Sequence, residues 1–174
     1  GCLKIVFGLE SYSQRVLDLM SKGTQKKNID RIVHDCLKYD IAVHLYVIVG
    51  FLTETREEVM ETVNFILKND RLLKSYGFSC LPCLFDLEKG SPIMDAPDRF
   101  GLKRIMTPAQ HDLSLGYLFE ASKGMTPQET EDVYAQVMEM VEKSVNPLPF
   151  NYSMADGLLY LARKKGNKKL ALNC

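Results

Sequence analysis

The chain has 174 residues, and its 46% hydrophobic and 25% charged composition indicates an ordinary globular domain, which excludes a disordered or fibrous protein. Lys and Arg number 22, as do Asp and Glu, so the net charge of zero gives no general positive charge for binding nucleic acid. No stretch approaches the roughly 20 apolar residues of a membrane span. We therefore expect no membrane partner and no nucleic-acid binding that rests on net charge alone, with a local basic patch left open.

The cysteines and the start of the chain indicate where the protein resides. Five cysteines are scattered along the sequence, and no secretory signal precedes the first strand pattern. This usage predicts a cytoplasmic protein instead of a disulfide-bonded scaffold. Because the chain opens almost directly in an apolar strand pattern, we expect it to be a fragment of a longer protein.

The first part of the chain alternates strands and helices. A strand is predicted at Leu3 to Gly8, and Ser11 with Gln14 fits a capping box for a helix that ends at Gly23. A second helical stretch begins at Thr24, where apolar residues recur at helical spacing.

Two further strands and a helix follow. The segment Ile41 to Val49 is almost continuously apolar and β-branched, as in strands of parallel sheets that are covered on both faces. Thr55 starts a helix with acidic residues in its first turn. A third strand spans Phe78 to Phe85, where Pro82 is tolerable at a sheet edge. The order β-α-α-β-α-β predicts an α/β fold with parallel strands.

The composition changes after the third strand. The segment Asp86 to Met106 is rich in Gly and Pro and is predicted to be a long ordered loop, the kind of loop that is usually functional. Helices are predicted from Thr107 and Thr126, each with Pro at the first helical position, and over Ser153 to Lys165. The predicted boundaries are an α/β domain at 1–105 and an α-helical C-terminal segment at 106–174.

Polar residues and a glycine occupy the carboxyl ends of two predicted strands. In parallel α/β folds ligands bind beyond those ends, and Glu10, Ser11 and Gly50 lie there. A carboxylate can accept hydrogen bonds from a ribose or an ammonium group, and a glycine lets the backbone approach a flat ligand closely. From composition alone, a helix start and a turn remain the simpler interpretation of these residues.

Seven segments, taken in chain order, resemble a known family. They are Gly8-Leu9-Glu10-Ser11, Val16-Leu17, Met20-Ser21-Lys22-Gly23 and Val49-Gly50-Phe51-Leu52-Thr53-Glu54-Thr55, followed by Leu87-Glu88-Lys89-Gly90-Ser91-Pro92, Pro97-Asp98-Arg99-Phe100-Gly101-Leu102 and Gly124-Met125-Thr126. Together they resemble the radical S-adenosylmethionine superfamily of Fe-S oxidoreductases, in the branch whose members often carry a cobalamin-binding domain ahead of the barrel. The order and spacing of the segments agree over about two thirds of the chain.

The resemblance implies a fold, cofactors and partners. The family's barrel is a partial TIM-type barrel of six strands, of which this chain would supply about half as parallel β/α units. The parent protein would use S-adenosylmethionine and a 4Fe-4S cluster, and the cobalamin-binding branch would add cobalamin through a domain outside this chain. The missing N-terminal half of the barrel would be a partner, and a small-molecule or peptide substrate is left open.

The resemblance also implies cofactor-binding residues. Glu10 and Ser11 match a polar site for the ribose or amino group, and Lys22 matches a basic position that can pair with the methionyl carboxylate. Ile48, Val49 and Gly50 match the segment that packs on the adenine. By strand alternation Tyr46 and His44 share the face of Ile48, which makes Tyr46 a candidate pocket residue, whereas for His44 a core position is favoured.

Two departures from the family matter. Leu52 stands where the family usually has proline, and the cluster motif C-x3-C-x2-C is absent, so no metal ligand and no catalytic residue is assigned. The pair Cys80 and Cys83 could bind zinc or act as a redox pair. Because residues three apart in a strand face opposite sides, structural cysteines are favoured. This chain alone is expected to be inactive.

A second class of function is kept open. The chain could be a non-catalytic α/β binding or interaction module. Half a barrel exposes a strand edge that is normally paired, and exposed edges are either covered or paired with another copy. A homodimer through that edge, or cover by the chain's own C-terminal helices, is therefore expected.

Overall fold

The computed structural model describes residue 2 and residues 4–39, 41–73, 78–106 and 115–144. The strands are β1 (Lys4–Glu10), β2 (Ala42–Val49), β3 (Phe78–Leu84), β4 (Leu87–Glu88), β5 (Leu102–Met106) and β6 (Gly116–Ala121). The helices are α1 (Gln14–Leu19), α2 (Lys26–Lys38), α3 (Arg56–Leu73) and α4 (Pro127–Ser144), with short 3₁₀ helices at Pro92–Asp95 and Pro97–Phe100. No helix in these ranges is long and apolar enough to cross a membrane.

Strands β1, β2 and β3 form a parallel sheet in that order, which confirms the predicted mixed α/β class. Val43, Leu45, Val47 and Val49 of β2 are each at most 2% exposed, because this face packs against apolar side chains of α2, α3 and α4. Pro82 lies in β3, an edge strand, where a residue without a backbone N–H is tolerated. A half barrel of the TIM type is not shown.

The opposite face of the parallel sheet is more open. Val6 of β1 is 52% exposed and Tyr46 of β2 is 38% exposed, although His44 beside Tyr46 is buried. Gly8 pairs with Tyr46 in the register of β1 and β2, so no side chain covers the tyrosine from that strand.

A second, antiparallel sheet follows, and it shows that the predicted loop over Asp86 to Met106 is wrong. This segment contains β4, both 3₁₀ helices and β5, and β6 lies between β4 and β5 in the sheet. The pattern is hard to recognise because β4 has two residues and a bulge near Lys103 interrupts the alternation in β5. Since β6 lies at 116–121, the segment after residue 106 is not purely helical.

The helix starts are partly as predicted. At α3 the Thr55 N–H donates to Glu58 and the Glu58 N–H donates to the Thr55 hydroxyl, which confirms that capping box. Thr126 and Glu129 make the same exchange at α4. At α1, however, the N-cap is Ser13, whose hydroxyl accepts from the Val16 N–H, so the start predicted at Ser11 is wrong. The helices predicted from Thr107 and over Ser153 to Lys165 begin outside the described residues.

Candidate functional site

The loop between β2 and α3, residues 50–55, lies at the carboxyl edge of the parallel sheet and contacts α1, α4 and the turn after β6. Gly50 has φ 82° and Thr53 has φ 64°, both left-handed. The Arg15 guanidinium donates to the Thr53 carbonyl (2.9 Å) and to the Thr53 hydroxyl (3.0 Å). These bonds hold a backbone conformation that a non-glycine residue such as Thr53 rarely adopts.

Two close approaches fix other segments against this loop. A Cβ at Gly50 would lie 2.2 Å from Thr130 Cγ2, and a Cβ at Gly124 would lie 2.6 Å from the Thr53 carbonyl carbon. Gly124 also has φ 83°, and the next residue, Met125, donates its N–H to the Glu54 carbonyl (3.1 Å). The start of α4 and the turn after β6 therefore lie directly on the β2–α3 loop.

Glu54 is the buried carboxyl group of the loop, with 1% exposure. Its Oε2 accepts the Gly50 N–H (2.8 Å) and its Oε1 accepts the Ser11 hydroxyl (3.5 Å). Burial raises the pKa of Glu54 to about 7, because these neutral donors offset only part of the desolvation cost and Glu58 adds negative charge nearby. Glu54 thereby connects Ser11, the residue after β1, to the β2–α3 loop.

Sequence reasoning did not select Glu54 as a site residue. It lies just before two acidic residues of the α3 first turn, Glu57 and Glu58, and nothing in the local pattern distinguishes it from them. Its contacts are distant in sequence: its carboxyl group accepts from Ser11, 43 residues earlier, and its backbone carbonyl accepts from Met125 in the turn after β6.

Glu58, in the first turn of α3, has a different environment from Glu54. It lies on the outer side of the β2–α3 junction, the side that faces Arg15 of α1. Arg15 pairs with it at 2.5 and 2.7 Å, the Ser13 hydroxyl donates at 2.8 Å and the Thr55 N–H at 3.0 Å. Burial alone would raise the pKa of Glu58, but the bonds from Arg15, Thr55 and Ser13 together with the Arg15 charge lower it to about 2. Glu58 therefore stays ionised and holds α1 to α3.

A cleft of about 320 Å³ opens beside the inner side of the loop. It is bordered by residues 50–54, by the end of β3 at 84–86, by strands β5 and β6, and by the start of α4. It therefore lies at the carboxyl ends of β2 and β3, where parallel α/β folds place ligands.

The cleft has aromatic walls and acidic groups. The Phe85 ring meets the Phe51 ring edge-on at 4.9 Å and the Phe119 ring at 5.6 Å. Three carboxyl groups border the cleft, from Glu54, Asp86 and Glu131. No Lys, Arg or His is found among the described residues of its lining.

The predicted site residues at the end of β1 lie in two different environments. Glu10 has φ 60° and accepts a hydrogen bond from the Lys22 ammonium at 2.9 Å, so the structure brings these two predicted residues together. The Lys22 side chain is 47% exposed. Ser11 is fully buried, and its hydroxyl lies within bonding distance of Glu54 and Thr62.

The predicted residues on and after β2 are also separated. Gly50 borders the cleft, whereas Val49 is 1% exposed and packs on the helix-covered face of the sheet. Ile48 packs on the apolar cluster that contains Phe51 and Leu52. Tyr46 is exposed on the open face and meets the buried His44 ring edge-on at 4.9 Å.

Cys80 and Cys83 both lie in β3, and their side chains have different environments. Cys80 packs into the main core, and burial raises the pKa of its thiol to about 12, whereas Cys83 is exposed. The two side chains thus face opposite sides, as expected. In the part of the chain that the structure describes, no group of three or more His, Cys, Asp or Glu residues is arranged to hold a metal ion.

Comparison with known proteins finds no matching family model but two related methyltransferases. The chain is 41% identical over 71 residues to an uncharacterized methyltransferase of Pyrococcus horikoshii. It is 31% identical over 70 residues to bacteriochlorophyllide d C-12(1)-methyltransferase of Chlorobaculum tepidum. Each match covers 40% of this chain and 15% of the relative, so the matched region is a small part of either relative.

These relatives correct the interpretation drawn from the resemblance. The sequence segments predicted a radical S-adenosylmethionine Fe-S oxidoreductase, but both relatives are named as methyltransferases, and neither name refers to an iron–sulfur cluster or cobalamin. The prediction of the oxidoreductase family is therefore wrong, and the predicted cluster and cobalamin have no support. The use of S-adenosylmethionine agrees with a methyltransferase.

Proposed function

We propose that this chain is part of an S-adenosylmethionine-dependent methyltransferase and contributes residues to the cofactor pocket. The observation that carries the proposal is that two relatives from different organisms, matched over segments of 71 and 70 residues, are both named as methyltransferases. When bound, S-adenosylmethionine supplies an electrophilic methyl group. The tasks left to the protein are to bind, to orient and to exclude water.

The pair Glu10 and Lys22 supports a cofactor site at the end of β1. The Lys22 ammonium can pair with the methionyl carboxylate, and the Glu10 carboxylate can accept hydrogen bonds from ribose hydroxyls or an ammonium group. Both groups lie at the carboxyl edge of the parallel sheet, and their contact of 2.9 Å places a positive and a negative group side by side. A zwitterionic ligand with a ribose matches this donor set.

Glycine at position 50 and the open face of the sheet support the same location. Gly50 borders the cleft at the carboxyl end of β2, and Tyr46 offers a partly exposed ring for contact with a flat base. Since the relatives are much longer than this chain, we propose further that sequence outside it covers the face of Val6 and Tyr46 and extends the parallel strands toward a barrel.

The test is equilibrium dialysis of the 174-residue chain against radiolabelled S-adenosylmethionine. We expect saturable binding that S-adenosylhomocysteine displaces. Lys22→Gln should weaken binding by about tenfold, because the loss of one charge-assisted contact typically has this size. Lys27→Gln is the matched control, since Lys27 is an exposed residue of α2. The folding of the chain is checked by far-UV circular dichroism. If the folded chain shows no saturable binding, the proposal is contradicted.

A further inference from the structure

We propose that the cleft beside the β2–α3 loop is a second ligand site, which binds a small, flat apolar molecule with a positive charge in preference to an anion. The inference goes beyond the methyltransferase proposal and does not depend on it. Glu10 and Lys22 do not line this cleft, and Gly50 is the one proposed cofactor residue that does.

The size and lining of the cleft set the first requirement on the ligand. A volume of about 320 Å³ is at the lower end for small-molecule sites, so a molecule of one or two fused rings fits. The edge-to-face rings of Phe51, Phe85 and Phe119 provide aromatic surfaces. Met106 and Met125 also line the cleft, and their flexible thioethers can adapt to a ring.

The charges set the second requirement. Asp86 and Glu131 border the cleft beside the buried Glu54, whose pKa of about 7 makes it the weaker contributor of negative charge, and the described lining has no basic side chain. Lys89 approaches the ring of Tyr117 at 5.7 Å but is not part of the lining. Carboxylates beside a partly apolar space attract a cation and repel an anion more strongly than they would in open water. Phosphorylated ligands and other anions are thus disfavoured.

The cleft is held in shape by the scaffold. The loop that forms one wall is fixed by the Gly50 N–H bond to Glu54 and by contact with Thr130 of α4. The turn after β6 is fixed by the bond from the Met125 N–H to the Glu54 carbonyl. Because the walls are already in place, a ligand does not have to order them, which lowers the cost of binding.

Three probes of similar shape test the charge preference. N-methylquinolinium is a cation, quinoline at pH 8 is neutral, and naphthalene-1-sulfonate is an anion. We expect affinity for the full chain, measured by NMR titration, to fall in that order, with about fivefold between successive probes because each step changes one charge near carboxylates. Equal or tighter binding of the anion would overturn the proposal, as would no binding of any probe up to its solubility limit.

Variants on α4 locate the binding. Glu131→Lys should weaken N-methylquinolinium binding by about tenfold or more, since it reverses one charge at the cleft. Glu142→Lys reverses the same charge at an exposed residue near the C-terminal end of α4. Glu142 does not line the cleft, so this variant should leave binding unchanged. Equal effects of the two variants would show that the cation binds elsewhere. The proposed function is decided separately, by the effect of Lys22→Gln on S-adenosylmethionine binding, because Lys22 does not line the cleft.

Discussion

Two carboxyl groups four residues apart have opposite electrostatic environments in this molecule. Glu54, on the inner side of the β2–α3 junction, is buried among neutral donors and has its pKa raised to about 7. Glu58, on the outer side, is paired with Arg15 and has its pKa lowered to about 2. Glu54 is the more deeply buried of the two, and its neutral donors offset only part of the desolvation cost. At Glu58 the bonds from Arg15, Thr55 and Ser13, with the Arg15 charge, outweigh desolvation.

The same comparison separates two structural tasks. The inner side positions the cleft, because Glu54, Gly50 and Gly124 hold the loop, α4 and the turn after β6 together. On the side of the junction that faces α1, called the outer side, the ion pair of Arg15 and Glu58 connects α1 to α3. Substitutions that affect only one side can test this division.

The largest effect is expected at Gly124. In Gly124→Ala the new Cβ would meet loop backbone at 2.6 Å and the residue would keep a left-handed φ, so the free energy of unfolding should fall by about 3 kcal/mol or more. Gly23→Ala is the matched control, since Gly23 also has a positive φ but nothing lies within 4 Å of its Cβ position. Its cost should be about 1 kcal/mol. The free energies of unfolding are measured with urea. Equal losses in the two variants would refute the close approach of Gly124 to the β2–α3 loop.

The next effect is a pH dependence that comes from Glu54. A folded-state pKa of about 7 lies above the ordinary value of 4.5, so the native state binds the proton more tightly than the unfolded chain does. This contribution is fully present below pH 4.5 and is lost as pH rises through 7, by roughly 3 kcal/mol in total. Glu54→Gln should remove this loss, so the variant should equal or exceed the parent in stability at pH 8. The free energy of unfolding of the parent, relative to that of the variant, should fall between pH 5 and pH 8. If it does not fall, burial does not raise the pKa of Glu54.

Glu58 should give the opposite pH dependence and a smaller effect. Its lowered pKa means that its contribution is present above the ordinary pKa of 4.5 and is lost as pH falls toward 2. At pH 7 Glu58→Gln should lower the free energy of unfolding by about 1 kcal/mol, because the Arg15 side chain is half exposed and the pair is partly screened. In thermal unfolding, the difference between the variant and the parent should shrink progressively from pH 5 to pH 2. A difference that grows as pH falls would contradict this account.

Prediction from sequence succeeded where the signal was local. The β-branched run of β2 and the capping boxes at Thr55 and Thr126 are complete within a few residues, and the structure contains them. The antiparallel sheet was missed because β4 is two residues long and its partner β6 lies nearly thirty positions away. Glu54 was missed because its burial is created by segments distant in sequence. The proposed cofactor residues keep their status as predictions, with Glu10 and Lys22 in contact and Ser11 buried.

The most direct test of the proposed function is an NMR titration of the 174-residue chain with S-adenosylmethionine, using assigned backbone amides. We expect saturable shift changes at the amides of Glu10, Lys22 and Gly50, because the proposed cofactor site lies at the carboxyl ends of β1 and β2. Amides at the far end of α2, such as Lys38, should not change. No saturable change at those three positions, or changes confined to other parts of the chain, would contradict the account.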